Sequence, residues 1–350
     1  MNPAPAIDTR ILIVDDTPAN IQALATILRS KGYQISAATN GKQAIEVLAR
    51  IQPDLILLDV MMPEMDGFET CRRLKATQQW RQIPVIFLTS KTETADIVQG
   101  FELGAVDYVA KPFNAHELLA RVNTHLTMDR LRRENERLLL SILPESIATR
   151  LKSGDKLIAD RFEDVTVLFA DIVGFTELAS GLPPQLLVER LNDLFTRFDM
   201  AAQELGIEKI KTIGDAYMAV CGLPEPRPDH TERMLTMALR LLQIAREFSE
   251  NSDTPVRLRI GINTGPVVAG VIGQNKFIYD LWGDTVNVAS RMESHGVPDR
   301  IQVTRSVIEN LPDSYPFERR GYVEVKGKGA IETWTLSGKP AINSNGRSRA

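Results

Sequence analysis

Short apolar runs separated by amphipathic stretches organise the first third of the chain. Ile11-Leu12-Ile13-Val14, Leu55-Ile56-Leu57-Leu58 and Val85-Ile86-Phe87-Leu88 contain no polar residue. Strands that are apolar on both faces belong to a parallel sheet with helices on both sides. Gln34-Ile35-Ser36-Ala37 supplies a weaker strand between the first two runs. Ala19 to Ser30 and Gly41 to Ile51 have helical spacing. This alternation predicts a doubly wound parallel sheet over about residues 8–126, whose ligands gather outside the carboxyl ends of its strands.

The pattern changes near Thr127. Met128, Leu131, Asn135, Leu138 and Ile142 follow 3-4-3-4 spacing among Arg and Glu residues. Such a seam predicts a helical, coiled-coil linker over 127–160, with Asn135 fixing the register of a dimer. Pro144 marks a break or a new first turn. Strand and helix signals resume over 161–337. Val165 to Phe169 reads as a strand and Leu186 to Leu205 as a helix. Ile210 to Val220 reads as a hairpin turning at Gly214-Asp215, and Leu258 to Ile262 begins another strand. The tail 338–350 is rich in Ser, Asn, Gly and Arg and reads as disordered.

Composition narrows the classes. A chain of 350 residues calls for two domains at roughly 150 residues each. With 41 basic and 45 acidic residues the net charge is −4, against a nucleic-acid partner held by a broad basic surface. No apolar run reaches the ~18 residues of a membrane helix, and the first residues lack a signal-peptide pattern. Cys71 and Cys221 cannot form a disulfide framework. A cytoplasmic protein without nucleic-acid or membrane partners is expected.

Candidate chemistry collects at two places. Asp15 and Asp16 follow the first strand, Asp59 the third, Thr89 ends another, and Lys111 follows Tyr108-Val109-Ala110. In a parallel sheet these positions share one edge. Three clustered carboxylates repel unless a divalent cation lies among them, and hard oxygen ligands suit Mg²⁺. The set resembles a response-regulator receiver domain, a flavodoxin-like fold. The resemblance implies one Mg²⁺ per receiver held by Asp15, Asp16 and Asp59, with Asp59 as phosphoacceptor and a sensor histidine kinase as donor. It also implies switch roles for Thr89 and Tyr108 and a phosphate-holding role for Lys111.

In the second region, Asp171 ends a strand and Asp215 lies in a turn 44 positions later. Alone, they read more readily as a helix cap and a turn residue. A carboxylate pair bridging two cations about 3.5–4 Å apart is also the usual apparatus for displacement at phosphorus. The segments Phe169 to Thr176, Lys211 to Met218 and Tyr279 to Arg291 together resemble class III nucleotidyl cyclases, whose catalytic domain is ferredoxin-like. The resemblance implies two Mg²⁺ or Mn²⁺ held by Asp171, Asp215 and the Ile172 carbonyl, with Phe175 and Thr176 beside the polyphosphate. It makes Lys211 and Asp280 the purine-reading pair, Asn287 and Arg291 the transition-state pair, and Lys326 a contact to the terminal phosphate, with Lys328 as an alternative. It also implies a homodimer, because the metal aspartates and the purine, Asn and Arg groups come from different copies.

The base follows from hydrogen-bond chemistry. Adenine offers an N6 donor to Asp280 and an N1 acceptor to Lys211, whereas guanine reverses both functions. Guanylate cyclases of this family carry Glu and Cys at the two positions. An adenylate cyclase making 3′,5′-cyclic AMP and pyrophosphate from ATP, regulated by phosphorylation, is therefore expected. A catalytically weak, phosphorylation-dependent scaffold and a guanylate cyclase are the alternatives.

Overall fold

The computed structural model describes residues 9–90, 94–155, 157–250, 255–273, 276–312, 315–325 and 327–336, without the side chains of 94–96. The tail 338–350 and Lys326 lie outside the described residues. The chain divides into two compact units, Met1–Leu138 and Leu139–Ala350.

The first unit alternates strands and helices. β1 (Arg10–Val14), α1 (Pro18–Arg29), β2 (Gln34–Ala38), α2 (Gly41–Leu48) and β3 (Leu55–Asp59) come first. α3 (Gly67–Ala76), β4 (Val85–Thr89), α4 (Thr94–Glu102), β5 (Asp107–Ala110) and α5 (Ala115–Leu140) follow. The sheet order is β2-β1-β3-β4-β5, and every pairing is parallel. The unbroken apolar runs have the reason expected of them. Leu12, Val14, Ile56, Leu58, Val85 and Phe87 pack on one face. Ile11, Ile13, Leu55, Leu57, Ile86 and Leu88 pack on the other. Local chemistry sets the helix starts: Pro18 takes the first turn of α1, Asn40 caps α2 through Gln43 N at 2.9 Å, and Asp66 caps α3 through Glu69 N at 2.7 Å. α2 stops at Leu48, three residues short of the expected end.

The linker helix differs from expectation in two ways. It is the continuation of α5, which begins at Ala115 and buries Leu118 and Val122 under the sheet. Arg132 and Arg133 both pair with the buried Asp129, and Arg133 also reaches Asp54 at 3.4 Å. The seam residues Met128, Leu131 and Leu138 are 62%, 61% and 54% exposed. The helix ends at Leu140, so Ile142 falls outside it and the seam is shorter than its spacing suggests. The cause lies just beyond. Pro144 is extended at the start of α6 (Glu145–Lys152), and Leu143, Ile147 and Ala148 turn into the core of the second unit.

The second unit is built on a long, mixed sheet. After α6 come β6 (Ala159–Ile172), α7 (Phe175–Ser180), α8 (Pro184–Leu205), β7 (Glu208–Ile213), β8 (Ala216–Cys221) and α9 (His230–Glu250). β9 (Leu258–Ile272), β10 (Ile278–Trp282), α10 (Asp284–Ser294), β11 (Arg300–Thr304), α11 (Arg305–Glu309), β12 (Phe317–Val325) and β13 (Gly329–Leu336) complete it. The strand order is β12-β13-β11-β9-β6-β8-β7, and β10 pairs with the far half of β9. Among the described residues of this unit, only β11 and β9 run parallel. The expected classes thus hold: a doubly wound parallel sheet, a helical connection and an α+β unit. α8 and α9 bury Phe198, Ala201, Leu241 and Phe248 against one sheet face. Two register slips interrupt the strands on this side of the sheet, one of them beside Lys211. The register slips between Lys209 and Lys211 in β7, and between Phe162 and Val165 in β6, as bulges do where a strand is re-aimed.

α10 sits on β9 with no spare room. A Cβ at Gly261 would collide with the backbone nitrogen of Glu293 and approach the Ala289 carbonyl oxygen to 2.6 Å. Asn263 Nδ2 donates to the Thr285 carbonyl at 3.0 Å, and Thr285 Oγ1 donates to the Pro266 carbonyl at 2.6 Å. Gly261→Ala is therefore expected to destabilise the second unit by about 1–3 kcal/mol, lowering its melting temperature by several degrees. An unchanged melting curve would contradict this close seating of the helix.

Candidate functional site

The carboxyl edge of the first sheet gathers the expected residues. Asp15 and Asp59 are buried, and Lys111 Nζ lies 2.8 Å from a carboxylate oxygen of each. Asp15 also accepts from Thr17 N at 2.9 Å and from Asn20 Nδ2 at 3.0 Å. Asn20 had no signal in the sequence beyond its place in the first turn of α1. Carboxylate oxygens of Asp15, Asp16 and Asp59 all lie within 4.8 Å of one another. That all-oxygen donor set fits a hard divalent cation. Burial raises the pKa of Asp59; the Lys111 hydrogen bond opposes this and the Asp15 charge adds to it. For Lys111, burial acts downward, but hydrogen bonds to Asp15 and Asp59 outweigh it and hold the ammonium up. Thr89 ends β4 at the same edge and is buried. Tyr108 is half-buried, 5.6 Å below the Arg121 guanidinium, and a small apolar pocket lies between it and Thr89.

In the second unit, Asp171 lies near the end of β6, in register with Arg259 of β9. Asp215 occupies the turn between β7 and β8. Ala170 of β6 pairs with Tyr217 of β8, which sets Asp171 beside the turn that holds Asp215; burial, and then the charge of Asp171, raise the pKa of Asp215. Arg259 Nη2 meets Asp171 at 2.6 Å, and Arg259 Nε lies 3.3 Å from Glu293. Neither Arg259 nor Glu293 figures among the residues expected from sequence. A signal was present: Arg259 is the one charge within the apolar run Leu258 to Ile262. Asp171 and Asp215 are oxygen donors of the kind that suits divalent cations, and Arg259 balances the Asp171 charge.

Gly174, at φ 72°, admits the sharp turn from β6 into α7. Ile172 is buried and Phe175 packs against the core, so both offer backbone rather than side chain to the site, while Thr176 is exposed. Lys211 and Asp280 come together, Nζ to Oδ2 at 2.5 Å, and Asp280 Oδ1 also accepts from Leu281 N at 2.9 Å. Asp280 is in register with Gly270 on β9, eleven positions from the Arg259 that faces Asp171. Asn287 and Arg291 are one turn apart on the exposed face of α10, opposite the buried Val288, Ala289 and Met292. Among the described residues neither side chain has a hydrogen-bond or ion-pair partner. Lys328 pairs with Asp284. Cys71 and Cys221 are buried, and burial pushes both thiols up, away from reactivity.

Burial, and then the Asp171 charge, push Glu293 up to about 7 from an ordinary 4.5. Its folded form binds a proton more tightly than its unfolded form. The associated stability is complete below about pH 4.5 and is lost as pH rises through about 7. In metal-free protein, Glu293→Gln should therefore raise the melting temperature relative to wild type more at pH 8 than at pH 5. Thermal melts in chelator at the two pH values check this, and a pH-independent offset would contradict it.

Residues 157–338 match the family described as adenylate and guanylate cyclase catalytic domain, and residues 11–123 match the response regulator receiver domain. An adenylate cyclase of Mycobacterium tuberculosis is 48% identical over 216 residues, covering 61% of this chain and 49% of that protein. A membrane guanylyl cyclase of Dictyostelium discoideum is 43% identical over 210 residues, covering 60% of this chain and 14% of that protein. Among solved structures, the catalytic core of a rhodopsin-guanylyl cyclase with converted specificity, in complex with ATPαS, aligns with a TM-score of 0.50 at 38% identity. That alignment covers 52% of this chain and 98% of the other. The chain spans about half the length of the mycobacterial relative. Among the described residues no helix is long and apolar enough to cross a membrane.

Proposed function

The chain belongs to the adenylate and guanylate cyclase catalytic-domain family and carries a response-regulator receiver domain ahead of it, and we propose that it is an adenylate cyclase working as a homodimer under receiver control. The observation that carries the choice of substrate is the Lys211–Asp280 pair at 2.5 Å. An ammonium that can only donate and a carboxylate that only accepts match the N1 and N6 edge of adenine. Guanine would set an oxygen against the carboxylate and an N–H against the ammonium.

Asp171, Asp215 and the Ile172 carbonyl would hold two Mg²⁺ or Mn²⁺, which lower the pKa of the ribose 3′-hydroxyl and neutralise the triphosphate. The residues of the chain then position and stabilise. Lys211 and Asp280 fix the base. The backbone of Phe175 and Thr176 faces the polyphosphate. Lys326 meets the terminal phosphate. Asn287 orients the ribose so that its 3′-oxygen lies in line with the α-phosphorus. Arg291 neutralises charge growing on the α-phosphate as pyrophosphate leaves.

The unpartnered Asn287 and Arg291 support a composite site. They face outward on α10, where a second copy could present a metal site to them. A symmetric pair of such contacts makes an isologous dimer with two equivalent centres. The exposed stripe of Met128, Leu131 and Leu138 on α5 supports pairing of that helix between copies as well. Upstream, Asp59 accepts a phosphoryl group from a sensor histidine kinase, with one Mg²⁺ held by Asp15, Asp16 and Asp59. Lys111 and Thr89 then hold the new phosphate oxygens, and Tyr108 reports the change.

A single assay tests the reading. Purified protein with Mn²⁺ should cyclise ATP in strong preference to GTP, and its rate should change when BeF₃⁻ occupies the receiver. Asp59→Ala should abolish the BeF₃⁻ response. Preference for GTP would establish a guanylate cyclase, inactivity on both nucleotides a scaffold, and indifference to BeF₃⁻ would remove receiver control.

A further inference from the structure

Helix α10 presents Asn287 and Arg291 outward, and neither side chain has a hydrogen-bond or ion-pair partner among the described residues. Where the two groups stand is therefore set by the seat of the helix. Its start lacks the usual side-chain cap, because the residue before it is Gly283. The anchorage comes from the neighbouring strand instead. Gly261, Asn263 and Gly265 alternate along one face of β9, and all three meet α10. A Cβ at Gly265 would come within 2.9 Å of Thr285 Oγ1. Asn263 grips the Thr285 carbonyl while the Thr285 hydroxyl donates to Pro266, so this residue is held by backbone and side chain, two positions before Asn287. The Asn263 amide has one way to point. Its Oδ1 accepts from Thr304 Oγ1 at 2.7 Å and from Ser306 Oγ at 3.2 Å, which leaves Nδ2 for Thr285. Asn263, Thr285 and Thr304 are all buried. An apolar side chain would fill this space without needing partners; the hydrogen bonds add direction, tying the first turn of α10 to β9 and to the end of β11.

We propose that Asn263 is a positioning residue for ring closure, holding the start of α10 so that Asn287 and Arg291 meet the ribose and the α-phosphate in reacting geometry. This rests on the composite site proposed above. Asn263 is buried behind the helix and acts through Thr285 rather than on the nucleotide. Asn287 and Arg291 act on the 3′-oxygen and on charge that grows in the transition state, so loss of the anchor costs turnover more than binding. The damage also falls on one half of the site. A copy without the Asn263 amide keeps its own Asp171 and Asp215, and what it spoils is the α10 it lends to the other copy's aspartates.

The test begins with the full-length Asn263→Ala homodimer. Its kcat on Mn²⁺-ATP should fall about 10–100-fold. Its affinity for 3′-deoxyATP with Mn²⁺, a pair that binds without ring closure, should stay within about threefold of wild type by calorimetry. Mixed dimers then locate the effect. Paired with an Asp171→Ala copy, the Asn263→Ala copy offers intact aspartates to an intact α10, and about half of the wild-type rate should return. Paired with an Arg291→Ala copy, it leaves only its own α10 to serve the surviving aspartates, and the rate should stay at or below that of the Asn263→Ala homodimer. A role confined to folding would lower both mixtures alike. Equal rates in the two mixtures, a lost nucleotide affinity, or wild-type kcat in Asn263→Ala would each overturn the assignment. If Asn263→Ala does not fold, Thr304→Val, which removes the hydroxyl that orients the amide, should give the same pattern with a smaller loss, and Thr304→Ser should restore the rate. The control pair of Asp171→Ala with Arg291→Ala carries no change at Asn263; its silence overturns the composite site, and the positioning role with it.

Discussion

Aspartates crowded at a sheet edge repel one another, and both units of this protein are arranged around that repulsion. Two unit charges about 4 Å apart cost on the order of 4 kcal/mol at the effective dielectric of a protein surface. In the first unit the Lys111 ammonium sits between Asp15 and Asp59. In the second, Arg259 faces Asp171 while Asp215 stands close by. Each basic group balances the carboxylates beside it.

The strand edges themselves follow from simpler forces. Runs such as Ile11 to Val14 are buried on both faces, which fixes a parallel sheet and delivers Asp15, Asp59, Thr89 and Lys111 to one rim. In the second unit the tight β7–β8 turn carries Asp215 to the end of β6, where Asp171 waits. The seating of α10 on Gly261 then sets the outward face bearing Asn287 and Arg291. Charge balance supplies the chemistry, but close packing supplies the geometry.

Much of this was legible in the residues. The apolar runs foretold the first sheet, and the Gly214-Asp215 turn foretold the hairpin. The Lys211–Asp280 contact follows from no local pattern; β7 and β10 meet only through the curl of long strands, and only the resemblance to cyclases paired them. Arg259 and Glu293 escaped notice for a related reason. Their roles arise from a partner 34 positions away on another element, and a lone Arg in a strand has no periodicity to announce it. The seam was overread, because spacing alone does not reveal that Leu143 and Ile147 are drawn into the second core and end the helix at Leu140.

The central claim is that each copy holds two incomplete halves of a reaction centre. Its most direct test is a mixed dimer of one Asp171→Ala copy and one Arg291→Ala copy, purified with two different tags and assayed with Mn²⁺-ATP. Each variant alone should be inactive, and the mixed dimer should recover about half of the wild-type rate, since one of two composite centres remains intact. Silence of well-formed mixed dimers, or full turnover by a strictly monomeric preparation, would contradict the account.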